Sequence, residues 1–339
     1  MRIAVDAMGG DYAPREVVAG AVDAARGLLA ISDIFLVGDE EAIKAELKLC
    51  GKIPENIHIR HASQVVEMDE APALAVRKKR DSSIGRAVDM VKAGEADAVM
   101  SAGNTGAVVA AATLKLRTLP GIDRPAIAAV MPTCGRPLAL VDAGANIDCN
   151  AKLLQQFAIM GSIYSRIIIG PENPVVGLLS IGGEESKGNE TTKEAFSLIQ
   201  NSNLNFRGNV EGHDLFAGDT DVVVCDGFVG NVVLKTSEST AHAFRFWMKQ
   251  EFTKNPIRLL GVMLLRGALR FMKKKLDPEL HGGAPLLGVN GVCIIAHGSS
   301  SRRAIYNAIR VASESVHNHL NEDISAEIKK LEKVNDRNK

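Results

Sequence analysis

Short apolar runs recur along the chain at 2–7, 34–37, 56–59, 98–101, 126–131, 138–142, 175–180, 221–225 and 292–296, with stretches of helical spacing between them. Runs this short, bounded by glycine and small polar residues, read as buried strands. Their alternation with helices predicts a parallel sheet covered on both faces. Many of the runs end in a small or acidic residue followed by glycine, as in Asp6-Ala-Met-Gly-Gly-Asp11, Val37-Gly-Asp39, Ser101-Ala-Gly103, Asp142-Ala-Gly144, Ser180-Ile-Gly-Gly183, Cys225-Asp-Gly227 and Ala296-His-Gly298. Open α/β sheets bind ligands outside the carboxyl ends of their strands, so these loops are expected to converge on one cleft.

The rhythm stops between residues 237 and 280, where two helical stretches, 240–252 and 256–275, flank Lys254-Asn-Pro256. At about 100° per residue, Ile257, Leu260, Leu264, Ala268 and Phe271 share one arc of the second stretch, with Arg258, Arg266, Arg270 and Lys274 broadly opposite. Such a helix packs its apolar side on a neighbour or a second subunit, or lies reversibly on an anionic membrane surface, and a protruding hairpin can do both. Past 320 the chain turns charged and reads as a terminal helix that frays. The predicted organisation is a catalytic unit over 1–320, hairpin 237–280 included, and a charged tail over 321–339.

The stretch from Asp97 to Thr113 carries the first chemical signal. An apolar strand runs into Ser101-Ala-Gly-Asn-Thr-Gly106 and then a helix of small residues. Gly103 and Gly106 permit close backbone approach, and Thr105 or Asn104 can cap the helix. Its free N–H groups and dipole favour a phosphate or other oxyanion there.

Composition narrows the classes. With 40 basic against 40 acidic residues, the 339-residue chain lacks the overall charge of a nucleic-acid binder. Cys50, Cys134, Cys149, Cys225 and Cys293 are odd in number and contain no C-x-x-C, which disfavours a zinc site and a disulfide framework alike. The opening Met1-Arg-Ile-Ala-Val-Asp6 lacks the form of a signal peptide, and no charge-free apolar run of about 18 residues is present, so a cytoplasmic protein is expected.

Several cofactor classes fail on spacing. No two glycines are separated by one residue, which removes the dinucleotide fingerprint, and Gly183-Glu-Glu-Ser-Lys-Gly188 lacks the Walker order. H-E-x-x-H is absent, and neither a metal nor another cofactor is expected. What remains is a set of polar loops. Lys187 lies in a turn before a helix, where a mobile ammonium could neutralise phosphate. Asn231 follows Gly230 and could offer its amide to an oxyanion. His297 and Ser299 stand at a strand end without a G-x-S-x-G elbow. The cluster Arg77-Lys-Lys-Arg80, which includes Lys78, precedes Ser82 and Ser83, either of which could cap the next helix, and it could steer an acidic partner.

Val5-Asp-Ala-Met-Gly-Gly-Asp11, Ser101-Ala-Gly-Asn-Thr-Gly106, Asp123-Arg-Pro-Ala-Ile127, Asp142-Ala-Gly-Ala-Asn146 with Asp148-Cys149, and His297-Gly-Ser-Ser300, in this order, resemble the PlsX family of bacterial phosphate acyltransferases. The resemblance covers residues 1 to about 320 and is poorest over 240–280. It implies a Rossmann-like three-layer αβα sandwich related to isocitrate/isopropylmalate dehydrogenase-like and phosphate acetyltransferase folds. The implied reaction moves a fatty acyl group from acyl carrier protein to inorganic phosphate. The implied setting is a homodimer, peripherally bound to the membrane near the acyltransferase that consumes the acyl phosphate for phospholipid synthesis. On this basis Lys187 and Asn231 are the expected catalytic residues. Asp6, Gly9, Gly10, Ser82, Ser83, Gly103, Asn104, Thr105, Gly106, Asn146, His297 and Ser299 are expected to face substrate. Arg77, Lys78, Arg258, Arg266, Arg270 and Lys274 are expected to meet the carrier protein or the membrane. A coenzyme A-dependent acetyltransferase and a non-catalytic phosphometabolite-binding scaffold remain open as alternatives.

Overall fold

The computed structural model describes residues 1–275 and 277–337. Its strands are β1 (Arg2–Asp6), β2 (Asp33–Gly38), β3 (Ile57–His61), β4 (Ala98–Ser101), β5 (Ala126–Met131), β6 (Leu138–Val141), β7 (Val175–Leu179), β8 (Asn205–Val210), β9 (Val222–Val224), β10 (Ala284–Leu287) and β11 (Val292–Ile295). They form one 11-stranded sheet in the order β3-β2-β1-β4-β11-β10-β5-β6-β9-β7-β8. The expected strands are all present. The sequence reading missed β8, an edge strand whose outer half is polar and part-exposed, and β10, a short run behind two glycines.

The sheet is not uniformly parallel. Strands β3, β2, β1, β4 and β11 run together, and β6, β9, β7 and β8 run together. Strand β10 is antiparallel to both β11 and β5, and β5 is antiparallel to β6. The two parallel sets therefore run in opposite directions. The cause is visible at 132–137: a connection that short can close a hairpin but cannot carry the dozen or more residues of a parallel crossover. Thr133 pins the hairpin, its hydroxyl accepting from Gly135 N at 3.0 Å and donating to Arg136 O at 2.5 Å.

Helices cover both faces. One face carries α1 (Arg15–Gly27), α2 (Glu40–Leu49) and, from the end of the chain, a long helix whose inner side includes Ile305, Ile309 and Ala312. The opposite face carries α3 (Pro72–Lys78), α4 (Ser83–Lys92) and α5 (Thr105–Lys115), packed on Ala4, Val99, Cys293 and Ile295. Over the second set of strands lie α6 (Ala151–Tyr164), with Phe157, Met160 and Tyr164 fully buried, and α7 (Glu190–Gln200). Side-chain caps start α2 and α5 close behind strand ends, where Asp39 accepts from Ala42 N and Asn104 from Ala107 N, and Asn189 caps α7 after the longer loop 180–189 by accepting from Thr192 N.

The region without strands consists of α8 (Gly227–Phe252), α9 (Pro256–Leu264) and α10 (Arg266–Lys275). The first helix starts thirteen positions earlier than the expected 240, capped by Asp226, whose carboxylate accepts from Val229 N at 2.8 Å. The second expected helix is broken at Leu265, so its predicted apolar arc does not run unbroken from 257 to 271. No residue of α9 is buried, and Trp247, Ile257, Leu264 and Phe271 are exposed.

The remaining helices are α11 (Arg302–His317) and α12 (Leu320–Arg337). The charged tail does not simply fray: Leu320, Ile324 and Ile328 are buried in the cluster that also holds Phe157 and Tyr164. Their i, i+4 spacing lays one apolar stripe on α6, with the charges outward.

Candidate active site

The two parallel sets run oppositely but are offset along the sheet. Strand β11 ends where Ile295 pairs with Ala284, and β6 ends at Val141, which pairs with Ala128, one residue from the Ile127–Leu286 pair, so the carboxyl ends of both sets come to nearly the same level and face one another. The expected convergence of loops takes the form of two facing clusters bridged by helix α8.

The first cluster is built around Asp6, at the end of β1. Its side chain is buried and accepts from Ser101 Oγ at 2.6 Å and from Met8 N at 3.3 Å, while Ser101 Oγ also accepts from Gly103 N at 3.0 Å. Burial pushes the Asp6 carboxyl above the usual range against the pull of the Ser101 and Ser83 hydroxyls. Gly9 is required here, because a Cβ would stand 2.6 Å from Asp6 Oδ2 and 2.7 Å from Gly103 N. Gly10, at φ 111°, passes under the Gly298 carbonyl, which accepts from Asp11 N at 2.8 Å. The 6–11, 101–106 and 297–299 loops are thus one structure.

Asn104, not Thr105, caps α5, and its Nδ2 donates to Met68 O at 2.8 Å and Glu70 O at 3.2 Å, so its amide is spent on holding the 68–70 loop. Gly106 packs against Pro72, and Thr105 is exposed. Ser82 caps α4 by accepting from Gly85 N, whereas Ser83 turns to Asp6. Between these elements lies a narrow crevice with room for about one water molecule, lined by Asp6, Gly9, Ser83, Ser101, Gly103 and Asn104 among others.

The second cluster gathers at the ends of β6, β9 and β7. Asp142 is fully buried and accepts from Ile127 N, Gly144 N, Ala145 N and Asn146 N, and from Asn146 Nδ2. The second hydrogen of that amide goes to Pro125 O at 2.7 Å, so Asn146 locks a loop and has no donor left for substrate. The Asn231 side chain lies beside Gly144, 3.5–3.7 Å from where a Cβ there would stand, and its amide has no hydrogen bond among the described residues. Lys187 is exposed in the loop after β7; its backbone N–H donates to Glu184 O, and no bond ties its ammonium to either cluster among the described residues.

Helix α8 joins the clusters. It starts against Asn146, passes Gly144 at Asn231, and one turn later brings Lys235 Nζ to 3.4 Å from His297 Nε2. His297 Nδ1 in turn lies 2.9 Å from Ser299 Oγ. Lys235, Ser101 and Asp142 were not singled out from the sequence as site residues. The available signal was spacing: Lys235 follows Asn231 by four residues on one helical face, and both Ser101 and Asp142 end apolar runs before a glycine.

Of the expected basic contacts, Arg77 and Lys78 are exposed at the end of α3, while their neighbour Lys79 turns in to Glu70. Arg258 pairs with Glu251 of α8, and Arg266 and Arg270 are exposed on α10. The Lys274 side chain lies outside the described residues. Burial pushes the Cys149 thiol up to about 11 and the Cys293 thiol up to about 12, and Cys225 is raised as well, which leaves these groups poor nucleophiles at neutral pH.

The architecture is that of the phosphotransacetylases. The enzyme of that name from Streptococcus pyogenes matches with a TM-score of 0.64 at 19% identity, covering 94% of each chain. A 4-hydroxythreonine-4-phosphate dehydrogenase from Klebsiella pneumoniae shares the fold at a TM-score of 0.53 and 14% identity, over 95% of this chain and 99% of that one. Sequence relatives carry the assignment further, and the chain belongs to the phosphate acyltransferase family. The family model described as fatty acid synthesis protein matches residues 1–323. The phosphate acyltransferase of Pelotomaculum thermopropionicum is 52% identical over 334 residues, 98% of this chain and 96% of that protein. The one from Nostoc sp. is 45% identical over 339 residues, 99% of this chain and 98% of its own length. The resemblance drawn from the motifs and the expected Rossmann-like sandwich are both borne out.

Proposed function

We propose that this phosphate acyltransferase takes a fatty acyl group from the thioester of acyl carrier protein to inorganic phosphate, producing the acyl phosphate used in phospholipid synthesis. Phosphate is already an anionic nucleophile at neutral pH and a thiolate is a good leaving group. The protein therefore has to position two substrates and hold developing negative charge. A phosphate oxygen bonds to the acyl carbon, charge gathers on the carbonyl oxygen, and the carbon–sulfur bond breaks to release the carrier thiolate. The observation that carries this reading is the Asn231 amide, unpaired among the described residues, on α8, which spans from the Asp142 loop to the His297 loop. In this reading Asn231 holds the carbonyl oxygen, Lys187 supplies a mobile positive charge, and the turn at Gly103 contributes backbone donors at the start of α5.

The exposed apolar side chains of α8 to α10 support two further roles, contact with a second copy of the chain and reversible contact with an anionic membrane. Among the described residues no helix is long and apolar enough to cross a bilayer. Phosphate-dependent release of carrier-protein thiol tests the central reaction. Turnover with acyl-coenzyme A but not with acyl carrier protein would replace the donor, and phosphate binding without acyl phosphate formation would leave a scaffold.

A further inference from the structure

We infer that Lys235 and His297 form an anion-binding pair that holds the phosphate substrate, an inference that rests on the acyl-transfer reading above. Ser299 N donates to His297 Nδ1 at 3.2 Å. A backbone N–H can only donate, so Nδ1 presents its lone pair and the proton of the neutral ring sits on Nε2. That Nε2–H faces the ammonium of Lys235 at 3.4 Å. Two donors then point at one place and cannot bond each other. An oxyanion resolves the conflict by accepting from both, through charge-assisted bonds of about 2.8 Å.

The surroundings agree with this assignment. The other partner of Lys235 is Glu238, whose Oε2 lies 2.8 Å from Nζ on the same helix. Exposed pairs at this spacing contribute little, so the ammonium can leave Glu238 for a bound anion at small cost. One turn earlier on the same face stands Asn231. Four residues of helix rise roughly 6 Å, the separation suited to a phosphate held at Lys235 and His297 attacking a thioester whose carbonyl oxygen is held at Asn231. The buried Asp6–Ser101–Gly103 network fixes the other side, because Gly10 and Asp11 pack on Gly298, the residue after His297. Lys235 transfers no proton in this arrangement; it places the nucleophile and offsets its charge.

The test compares wild type with Lys235→Ala, Lys235→Gln, Lys235→Arg and Glu238→Ala. Initial rates of acyl phosphate formation are measured against inorganic phosphate and against acyl carrier protein, with calorimetric titration of phosphate alone. Loss of one charge-assisted contact should raise the phosphate KM roughly 10- to 100-fold in Lys235→Ala and Lys235→Gln. The carrier-protein KM and the melting temperature should stay near wild type, and Lys235→Arg should recover part of the loss. Glu238→Ala should lower the phosphate KM by freeing the ammonium. An unchanged phosphate KM in Lys235→Ala overturns the pair while leaving acyl transfer intact. A wild type that makes no acyl phosphate overturns the acyl-transfer reading instead; the titration then decides the pair, which fails if Lys235→Ala binds phosphate as wild type does.

Discussion

Gly230 offers a sharp test of how closely α8 must sit. Alanine in place of glycine inside a helix ordinarily stabilises it by about 1 kcal/mol, through the restricted unfolded chain. Here the sign reverses. A Cβ on Gly230 would stand 1.8 Å from the carbonyl oxygen of Asp142 and 2.9 Å from its carbonyl carbon. That carbonyl belongs to the loop locked by Asn146 and four backbone N–H groups, and it cannot yield. Restoring an ordinary contact of 3.4 Å therefore requires the start of α8 to withdraw by about 1.6 Å. Overpacking of this kind costs about 1–3 kcal/mol. The withdrawal carries Asn231 and Lys235 with it, and a misplacement of about 1 Å can cost on the order of 100-fold in rate. Gly230→Ala should thus melt several degrees below wild type and turn over on the order of 100-fold more slowly. Gly212→Ala, whose Cβ meets nothing within 4 Å, should do neither. The paired assay is thermal unfolding with initial rates of acyl phosphate formation. A Gly230→Ala protein as stable and as active as wild type would refute the claim that the close seating of α8 sets the site.

Four other outcomes are expected. Lys187→Ala should reduce kcat on the order of 100-fold with an unchanged melting temperature, since among the described residues no bond holds this exposed side chain; near-normal turnover removes it from the chemistry. Native protein treated with iodoacetamide at pH 8 should be modified at exposed Cys134, while Cys149, at about 11 against an ordinary 9.0, should react roughly 100-fold more slowly than a free thiol. The unfolded chain ionises Cys149 and Cys293 at lower pH than the folded chain does, so their contribution to stability is full below about pH 9 and is lost as pH climbs toward 11 and 12; urea unfolding at pH 8 and pH 10 measures the fall. Vesicles containing anionic lipid should retain the protein at low salt and release it at high salt; equal flotation with neutral vesicles would discard the electrostatic part.

The strands that the sequence revealed are those whose apolar runs lie buried on both faces, as at 98–101 and 222–224. Strand β8 escaped because Asn205, Arg207 and Asn209 alternate with less polar positions at a sheet edge. Strand direction was hidden for a different reason: periodicity reports burial and says nothing about sense, and only the short 132–137 connection betrayed the reversal. At the site, Gly9 was legible because close backbone approach admits no other residue there, and Gly103 because a Cβ would stand only 3.2 Å from the Ser101 hydroxyl. The locking role of Asn146 was not, because the same amide can face a ligand or a carboxylate, and only the fold supplies Asp142 and Pro125 as its partners. Lys235 was missed because the start of α8 at Gly227 had to be known before its face could be counted.

The order of strands also bears on how the chain comes off the ribosome. Strands β10 and β11 are the last to be synthesised, yet they occupy the middle of the sheet between β4 and β5. Until they emerge, each half is an unfinished block with a bare flank at β4 or β5, a template for mispairing between nascent chains. The final segment of the polypeptide works as a keystone, and the two lips of the cleft acquire a fixed relation to each other only when translation is nearly over.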